Sequence, residues 1–135
     1  CEMGHKIKGI VNIAGSSFTN FDKCRDTGTL HILNIHGTQD KVIHFLGGAI
    51  KERRHPAAQQ VTEWWAKRSE CDVQPRFMKS MDLVPKLLGP ETKAKEYLNC
   101  QKKNRVGLWS IEKGNHLPPF ANKRLMTEAL EWIQK

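Results

Sequence analysis

Two polar side chains, Asp40 and His116, each follow a short apolar run that is typical of a buried β-strand, at residues 30–35 and 106–112. Because the carboxyl ends of parallel strands meet at the same edge of a sheet, we expect both side chains at one edge. A carboxylate beside a histidine fixes the histidine tautomer and stabilises the imidazolium, so the pair can act as a general base. Acyl transfer would also need a nucleophile and oxyanion donors.

Plainer interpretations exist for each of these residues. An aspartate after a strand is commonly a turn former, and a histidine in a Gly-Asn-His loop is commonly a polar loop residue. His36 and Asp40 could suggest a metal pair, but no third ligand is evident, so neither a metal nor a cofactor is predicted. Ser16 and Ser17 lack the context of a nucleophile and are predicted to be turn residues. The remaining histidines are predicted to be surface or turn residues: His5, His31, His44 and His55.

The composition is that of a globular protein, and the distribution of charge indicates which classes of partner to expect. The 135 residues suffice for one domain or part of one, and the net charge is +8. Lysines and arginines are spread along the whole sequence without an interleaved aromatic stripe. This pattern favours a solvated basic surface over a polyanion-binding one, so nucleic acid is not an expected partner. No run is long and apolar enough to predict a membrane span.

The remaining pattern predicts alternating strands and helices. A strand is expected over residues 7–14, with Ile10, Val11 and Ile13 buried, and helices over residues 56–70 and after Asn122, a candidate N-cap. Residues 71–100 hold several prolines and little periodicity, so they are predicted to form an irregular excursion with at most a short helix within residues 78–88.

Residues 35–43, Ile-His-Gly-Thr-Gln-Asp-Lys-Val-Ile, resemble the acid-bearing turn of the α/β-hydrolases. The resemblance is greatest to secreted polyhydroxybutyrate depolymerases and the related feruloyl esterases. Four further pieces agree in order: residues 13–15, residues 64–66 leading to Cys71 and Asp72, then Cys100, then residues 114–116. The resemblance covers most of the chain but only the second half of such an enzyme.

This resemblance implies an α/β fold with about three parallel strands and flanking helices, the C-terminal portion of an α/β-hydrolase. Residues 1–135 would be the C-terminal part of a single domain, with the excursion at 71–100 tied by a Cys71–Cys100 disulfide. A pairing of Cys1 with Cys24 follows by elimination alone, and four unrelated thiols remain the alternative. Oxidised pairs would imply a secreted or periplasmic protein.

The resemblance also implies a serine triad with Asp40 as acid and His116 as base, and a substrate pocket near Val42, Phe45 and Leu117. The reaction would be hydrolysis of a carboxylic ester, of the polyhydroxyalkanoate or aryl type. Val42 and Phe45 could equally be ordinary core residues. The nucleophile motif G-x-S-x-G does not occur in the sequence, so the chain alone is expected to be an inactive fragment. The alternatives are a non-catalytic remnant with a binding or structural role and a basic polyanion-binding module.

The sequence departs from the family pattern in two places, and each departure changes what we expect. The family often has an aromatic residue after the histidine, followed by Pro-Gly, whereas residues 117–120 read Leu-Pro-Pro-Phe, so substrate choice is not carried over. The missing front half would leave the strand at residues 7–14 with an unpaired edge. We therefore expect either a companion segment that supplies the front half or self-association through this edge.

Overall fold

The computed structural model describes residues 6–21, 30–101, 103–120 and 122–135. These residues form seven strands and two helices, in the following order: β1 Gly9–Ile13, β2 His31–Gly37, β3 Gly48–Ile50, β4 Arg53–His55, α1 Ala58–Arg68, β5 Arg76–Met81, β6 Thr92–Tyr97, β7 Val106–Ile111 and α2 Asn122–Gln134.

Five strands form one mixed sheet in the order β1-β2-β7-β6-β5. The three strands β1, β2 and β7 are mutually parallel, whereas β6 and β5 run antiparallel to their neighbours. The register pairs Ile35 of β2 with Ile13 of β1 on one side and with Trp109 of β7 on the other. Strands β3 and β4 form a separate antiparallel hairpin.

The predicted fold class, an α/β-hydrolase portion with about three parallel strands and flanking helices, is wrong. The described residues form a mostly β structure, in which a mixed five-stranded sheet is accompanied by only two helices. The error arises in residues 71–100, which were predicted to be irregular but supply β5 and β6. In β6, Lys93 and Lys95 alternate with less polar residues, which suits an antiparallel strand with one solvated face, whereas the first four residues of β5 are all exposed at the sheet edge.

The main core lies between the sheet and α2. Leu33 and Ile35 are fully buried and belong to a cluster with the α2 side chains Leu125, Ala129 and Trp132. Because successive side chains of a strand alternate, Asn34 points to the other face, where its Nδ2 donates to Thr62 Oγ1 of α1 at 2.8 Å. The predicted burial of Ile10, Val11 and Ile13 is only partial, since all of β1 is half-buried at the sheet edge.

The predicted disulfide between Cys71 and Cys100 is confirmed. It joins two residues 29 positions apart, and its Cα atoms are 3.8 Å apart, closer than the expected 4.4–6.8 Å. It closes the segment that contains β5 and β6. The other predicted pair, Cys1 and Cys24, lies outside the described residues. Among the described residues, no helix is long and apolar enough to cross a membrane.

Candidate active site

Gly37 ends β2 where the backbone of the loop after β7 passes very close. A Cβ atom built on Gly37 would lie 2.3 Å from the carbonyl oxygen of Gly114 and 2.4 Å from that of Asn115. Both neighbours are backbone atoms, which cannot move aside as a flexible side chain could. Only glycine therefore allows the loop after β2, the acid loop (residues 38–43), to approach the loop after β7, the histidine loop (residues 112–117).

Backbone hydrogen bonds join the two loops. The Thr38 N–H donates to the carbonyl of Ile111 at 2.9 Å, and the Gln39 N–H donates to the carbonyl of Gly114 at 2.9 Å. In the reverse direction, the Lys113 N–H donates to Thr38 Oγ1 at 3.0 Å. The strands β2 and β7 are paired as far as their last residues, so their parallel direction delivers both loops to one edge.

The Asp40 carboxylate is buried and receives hydrogen bonds on both oxygens. Its Oδ1 accepts the N–H groups of Val42 at 2.8 Å and Ile43 at 2.9 Å. Its Oδ2 accepts Nδ1–H of His116 at 2.9 Å, and the carboxylate side chain has no exposed surface. Burial by itself raises the pKa of Asp40, but the hydrogen bonds from His116 and from the two backbone N–H groups outweigh it, so the pKa lies below its ordinary value. The carboxylate therefore stays ionised although it is buried.

His116 is the partner that reaches the surface. About a third of its side chain is exposed, whereas Asp40 beneath it is fully enclosed. Because Nδ1 faces a carboxylate oxygen, it carries the proton of the neutral ring, and Nε2 is left unprotonated. The structure thus brings together the two residues that the sequence analysis predicted to share a site, at the expected hydrogen-bond distance. The arrangement can accept a proton at Nε2 and stabilise the resulting imidazolium.

His36 is a third member of this group that the sequence analysis did not assign to it. The side chain is 2% exposed, and Nε2 lies 3.1 Å from Asp40 Oδ2 and 2.8 Å from the carbonyl oxygen of Ile43. Its ring meets the Phe45 ring edge-on, with centroids 5.8 Å apart. One sequence feature could have indicated this contact: His36 and Asp40 are four residues apart. The turn between them brings Asp40 back beside His36.

The predicted pocket residues occupy different environments. Val42 and Leu117, which follow closely on the acid and the base, are 56% and 65% exposed. The alternative interpretation of Val42 as a core residue is therefore wrong. Phe45 is half-buried and lines a cavity of about 190 Å³ that also includes Thr38 and Leu108. The Val42 and Leu117 side chains are therefore exposed apolar residues within two positions of the acid or the base in the sequence.

A wider groove of about 750 Å³ lies beside the acid loop and includes Ile43, Ser16 and Ser17 in its lining. Ser16 Oγ donates to the carbonyl of Pro56 at 3.3 Å, so it joins the segment after β1 to the start of α1. Its contacts give no sign of an activating base. Neither serine lies in a turn, however, so the prediction that they are turn residues is wrong.

Two of the other histidines are buried, contrary to the prediction of surface or turn positions. His31 begins β2, at the opposite end of that strand from the acid loop, and its Nδ1 accepts the Arg105 N–H at 2.9 Å. Burial, followed by the charges of Lys8 and Arg105, lowers the pKa of His31, so this ring is neutral. His55 is 8% exposed, whereas His44 is exposed as predicted. Within the described ranges, no three His, Cys, Asp or Glu side chains cluster closely enough to hold a metal ion.

Comparison with known proteins agrees with a distant esterase relationship. No protein-family model matches the sequence. Over 99 residues, the chain is 30% identical to feruloyl esterase B of Piromyces equi; the match includes 70% of this chain and 17% of that protein. The chain therefore spans less than a fifth of the length of this relative.

Proposed function

We propose that this chain carries the acid and the base of a serine esterase, with Asp40 orienting His116. The observation that carries the proposal is the 2.9 Å hydrogen bond from the half-buried His116 to a carboxylate that is wholly enclosed. A buried anion beside a half-buried imidazole favours proton uptake at Nε2, the nitrogen that does not bond Asp40, because the carboxylate stabilises the imidazolium. The distant match to a feruloyl esterase supports ester hydrolysis as the reaction.

In the proposed reaction, His116 Nε2 takes the proton of a serine hydroxyl as its oxygen attacks the ester carbonyl. Asp40 stays ionised and stabilises the imidazolium until His116 gives the proton to the oxygen of the leaving alcohol. Water then repeats the sequence on the acyl-enzyme and releases the acid. The chain lacks G-x-S-x-G, so we propose that the serine comes from a polypeptide segment outside these 135 residues.

We propose that the nucleophile-bearing segment pairs with the free edge of β1. Within the described sheet, β1 pairs only with β2, so its other edge has no strand partner among the described residues and could accept one. A segment added there would lie parallel to β2 and end at the same edge as Asp40. Light scattering of the isolated chain over a dilution series tests this edge. Concentration-dependent association is expected, and a monomer at every concentration would count against an open edge.

The substrate class is proposed to be a carboxylic ester with an apolar acyl group, such as a feruloyl ester or a short polyhydroxyalkanoate. The name of the relative favours the feruloyl ester. Val42 and Leu117 are exposed apolar side chains in the acid and histidine loops, and we propose that they contact the acyl group. The Cys71–Cys100 disulfide is typical of proteins that fold in an oxidising compartment, and we propose secretion or a periplasmic location.

The decisive experiment compares two proteins on p-nitrophenyl acetate and ethyl ferulate. The full translation product of the gene should turn over ester, and its His116→Ala variant should lose on the order of 10³-fold or more in kcat. Residues 1–135 alone should be no more active than their own His116→Ala variant. An inactive full product would overturn the esterase proposal. Turnover by the isolated chain that is lost in Ser16→Ala or Ser17→Ala would overturn the assignment of the nucleophile to another segment.

A further inference from the structure

We propose that Nε2 of His55 accepts a hydrogen bond from a phenolic hydroxyl on the acyl group of the ester, so that His55 selects the substrate. The inference rests on the proposed function, because it names the part of the ester that this chain would bind beside the acid loop. His55 ends β4 and is 8% exposed. We assign it a role in binding and none in the transfer of protons.

The tautomer of His55 follows from its neighbour in the chain. Nδ1 lies 3.2 Å from the carbonyl oxygen of Pro56, and a carbonyl can only accept a hydrogen bond. Nδ1 therefore carries the proton of the neutral ring, and Nε2 is left with a lone pair. Nε2 is buried and has no hydrogen-bond partner among the described residues. Because a buried acceptor without a donor is costly, Nε2 is a candidate to receive a hydrogen bond from a ligand.

Gly48 leaves room beside this nitrogen. Gly48 and His55 are directly paired across the β3–β4 hairpin, so the imidazole lies on the same face as a residue that has no side chain. A Cβ atom built on Gly48 would lie 3.7 Å from His55 Nε2 and 3.3 Å from Nδ1 of His44. His44 is an exposed side chain, and its rotation away from Gly48 would give a ligand access to Nε2.

His55 lines two adjoining grooves. One is the groove of about 750 Å³ beside the acid loop, and the other has a volume of about 540 Å³ and includes Gly48 in its lining. The two share Thr19, Arg54 and His55, and we name them together the hairpin groove. Ile43 of the acid loop lines the larger part, so a ligand in the hairpin groove would lie beside the candidate active site.

The walls of the hairpin groove suit an aromatic ring. Phe18 and Ile50 are 75% and 41% exposed, and both line the larger part of the groove. Trp65 of α1 lines the same part and is half-buried. A flat ring can pack against such side chains while its edge carries a hydroxyl to a polar group.

The charges around the hairpin groove distinguish a phenol from other ligands. Arg53 and Arg54 line the groove, whereas no described aspartate or glutamate does. Neither guanidinium is paired with a described residue. This positive charge disfavours a metal cation beside the imidazoles and favours a weakly acidic donor, because it stabilises negative charge on the donor oxygen. An alcohol is a weaker acid than a phenol, and a carboxylate has no proton to donate to Nε2.

The first test uses wild-type residues 1–135 and two esters that differ only at the hydroxyl. Ethyl ferulate carries the phenol, and ethyl 3,4-dimethoxycinnamate carries a methoxy group in its place. In a long-range 1H–15N spectrum we expect the free His55 ring to be protonated at Nδ1. Ethyl ferulate should then shift the Nε2 resonance, and the dimethoxy ester should leave it nearly unchanged. A ring protonated at Nε2 alone, no shift with ethyl ferulate, or equal shifts with both esters would overturn the proposal.

The second test measures how strongly the hydroxyl contributes to binding. The full gene product with His116→Ala is used, so that neither ester is hydrolysed during the measurement. Ethyl ferulate should bind about tenfold more tightly than the dimethoxy ester. Adding His55→Phe, which keeps a ring but removes the acceptor, should bring this ratio close to one, whereas His55→Gln keeps an acceptor oxygen and should retain part of it. His44→Gln is the matched control at the neighbouring imidazole and should leave the ratio unchanged.

Two outcomes would contradict the role of His55. The ratio could stay near tenfold in a folded His55→Phe variant, or it could fall in His44→Gln instead, which would assign the hydroxyl to the other ring. If His55→Phe does not fold, the wild-type spectrum and the His44→Gln ratio still decide the question. All these readings measure binding and not turnover. A protein that prefers the phenol but cleaves neither ester would refute the esterase proposal and leave the role of His55 intact.

Discussion

The parallel and antiparallel parts of the sheet differ in how they meet water. All seven residues of β2 are buried, and every residue of β7 except Ser110 is buried. Of the six residues of β5, four are exposed and only Met81 is buried. The antiparallel part is closed by the Cys71–Cys100 disulfide and carries lysines on its open face. The parallel part carries no disulfide among the described residues and is stabilised by the burial of β2 and β7, whereas β1 at its edge is half-buried.

The two parts of the sheet also differ in what their residues contribute to the proposed reaction. The parallel strands β2 and β7 end at the same edge of the sheet. The loops that follow them therefore start close together, and Asp40 and His116 can meet through short side chains. The turn between the antiparallel β5 and β6 lies on the far side of β7 from β2, the strand that carries the acid. We therefore expect changes in the parallel part to affect the reaction and changes in the antiparallel part to affect the free energy of unfolding.

The largest effect should come from Asp40→Asn in the full gene product. The amide cannot stabilise the imidazolium and can hold His116 in the wrong tautomer, so ester turnover should fall by on the order of 10³–10⁴-fold. The matched control is Asp72→Asn in the antiparallel part, an exposed carboxylate that accepts a hydrogen bond from Asn99 at 3.0 Å. Equal losses of ester turnover in the two variants would contradict the assignment of the reaction to the parallel part of the sheet.

The next effect concerns the disulfide. Replacing Cys71 and Cys100 together by serine should lower the free energy of unfolding by about 3 kcal/mol, because the unfolded chain gains the freedom of an open loop. Urea unfolding of both proteins measures the change. The hydrogen bond between Asp40 and His116 should survive in the folded variant, since neither residue lies in the closed segment. Loss of the His116 Nδ1–H signal under native conditions would show that the two parts depend on each other.

A smaller loss is expected from Gly37→Ala. The added methyl group meets two backbone carbonyls, so the acid and histidine loops must separate, at a cost of about 1–3 kcal/mol. Gly48→Ala is the matched control. Its nearest atom is Nδ1 of His44, 3.3 Å away on an exposed side chain that can move. Thermal unfolding should distinguish the two, and equal melting temperatures would contradict the close approach at Gly37.

The smallest effect is a dependence on acid pH. The pKa of Asp40 is lower in the folded protein than its ordinary value of 3.8, so its hydrogen bonds contribute stability that is complete above the unfolded value. This contribution should be lost as the pH falls from about 3.8 through the folded pKa. Asp40→Asn should flatten this limb of the stability curve, measured by urea unfolding at several pH values. If the free energy of unfolding depends on acid pH equally in both proteins, the hydrogen bonds to the Asp40 carboxylate contribute no stability.

The sequence revealed the parallel strands better than the antiparallel ones. Leu30, Ile32, Leu33 and Ile35 form a short apolar run because β2 is buried along its whole length, and His31 and Asn34 interrupt this run only as hydrogen-bonded side chains. β5 and β6 mix charged with less polar residues and lie in a segment with three prolines, so their pattern does not predict strands. The β3–β4 hairpin was also missed, because Gly48–Ile50 and Arg53–His55 are three residues each and offer no period to recognise.

The candidate site shows the same limit at the level of side chains. The positions of Asp40 and His116 after two apolar runs predicted their proximity, because chain direction and strand pairing decide where a loop begins. The burial of His36 beside Asp40 was not predicted, because it depends on how the acid loop folds back over the end of β2. The burial of His31 and His55 depends on which elements pack over them, and no local pattern records that.

The central claim is that the buried Asp40 orients the exposed His116. The ring 15N shifts of His116, in residues 1–135 and in their Asp40→Asn variant, test it most directly. We predict that the neutral wild-type ring carries its proton at Nδ1 and leaves Nε2 bare, and that Asp40→Asn shifts the proton toward Nε2. A wild-type ring protonated mainly at Nε2, or the same mixture of tautomers in both proteins, would contradict the claim.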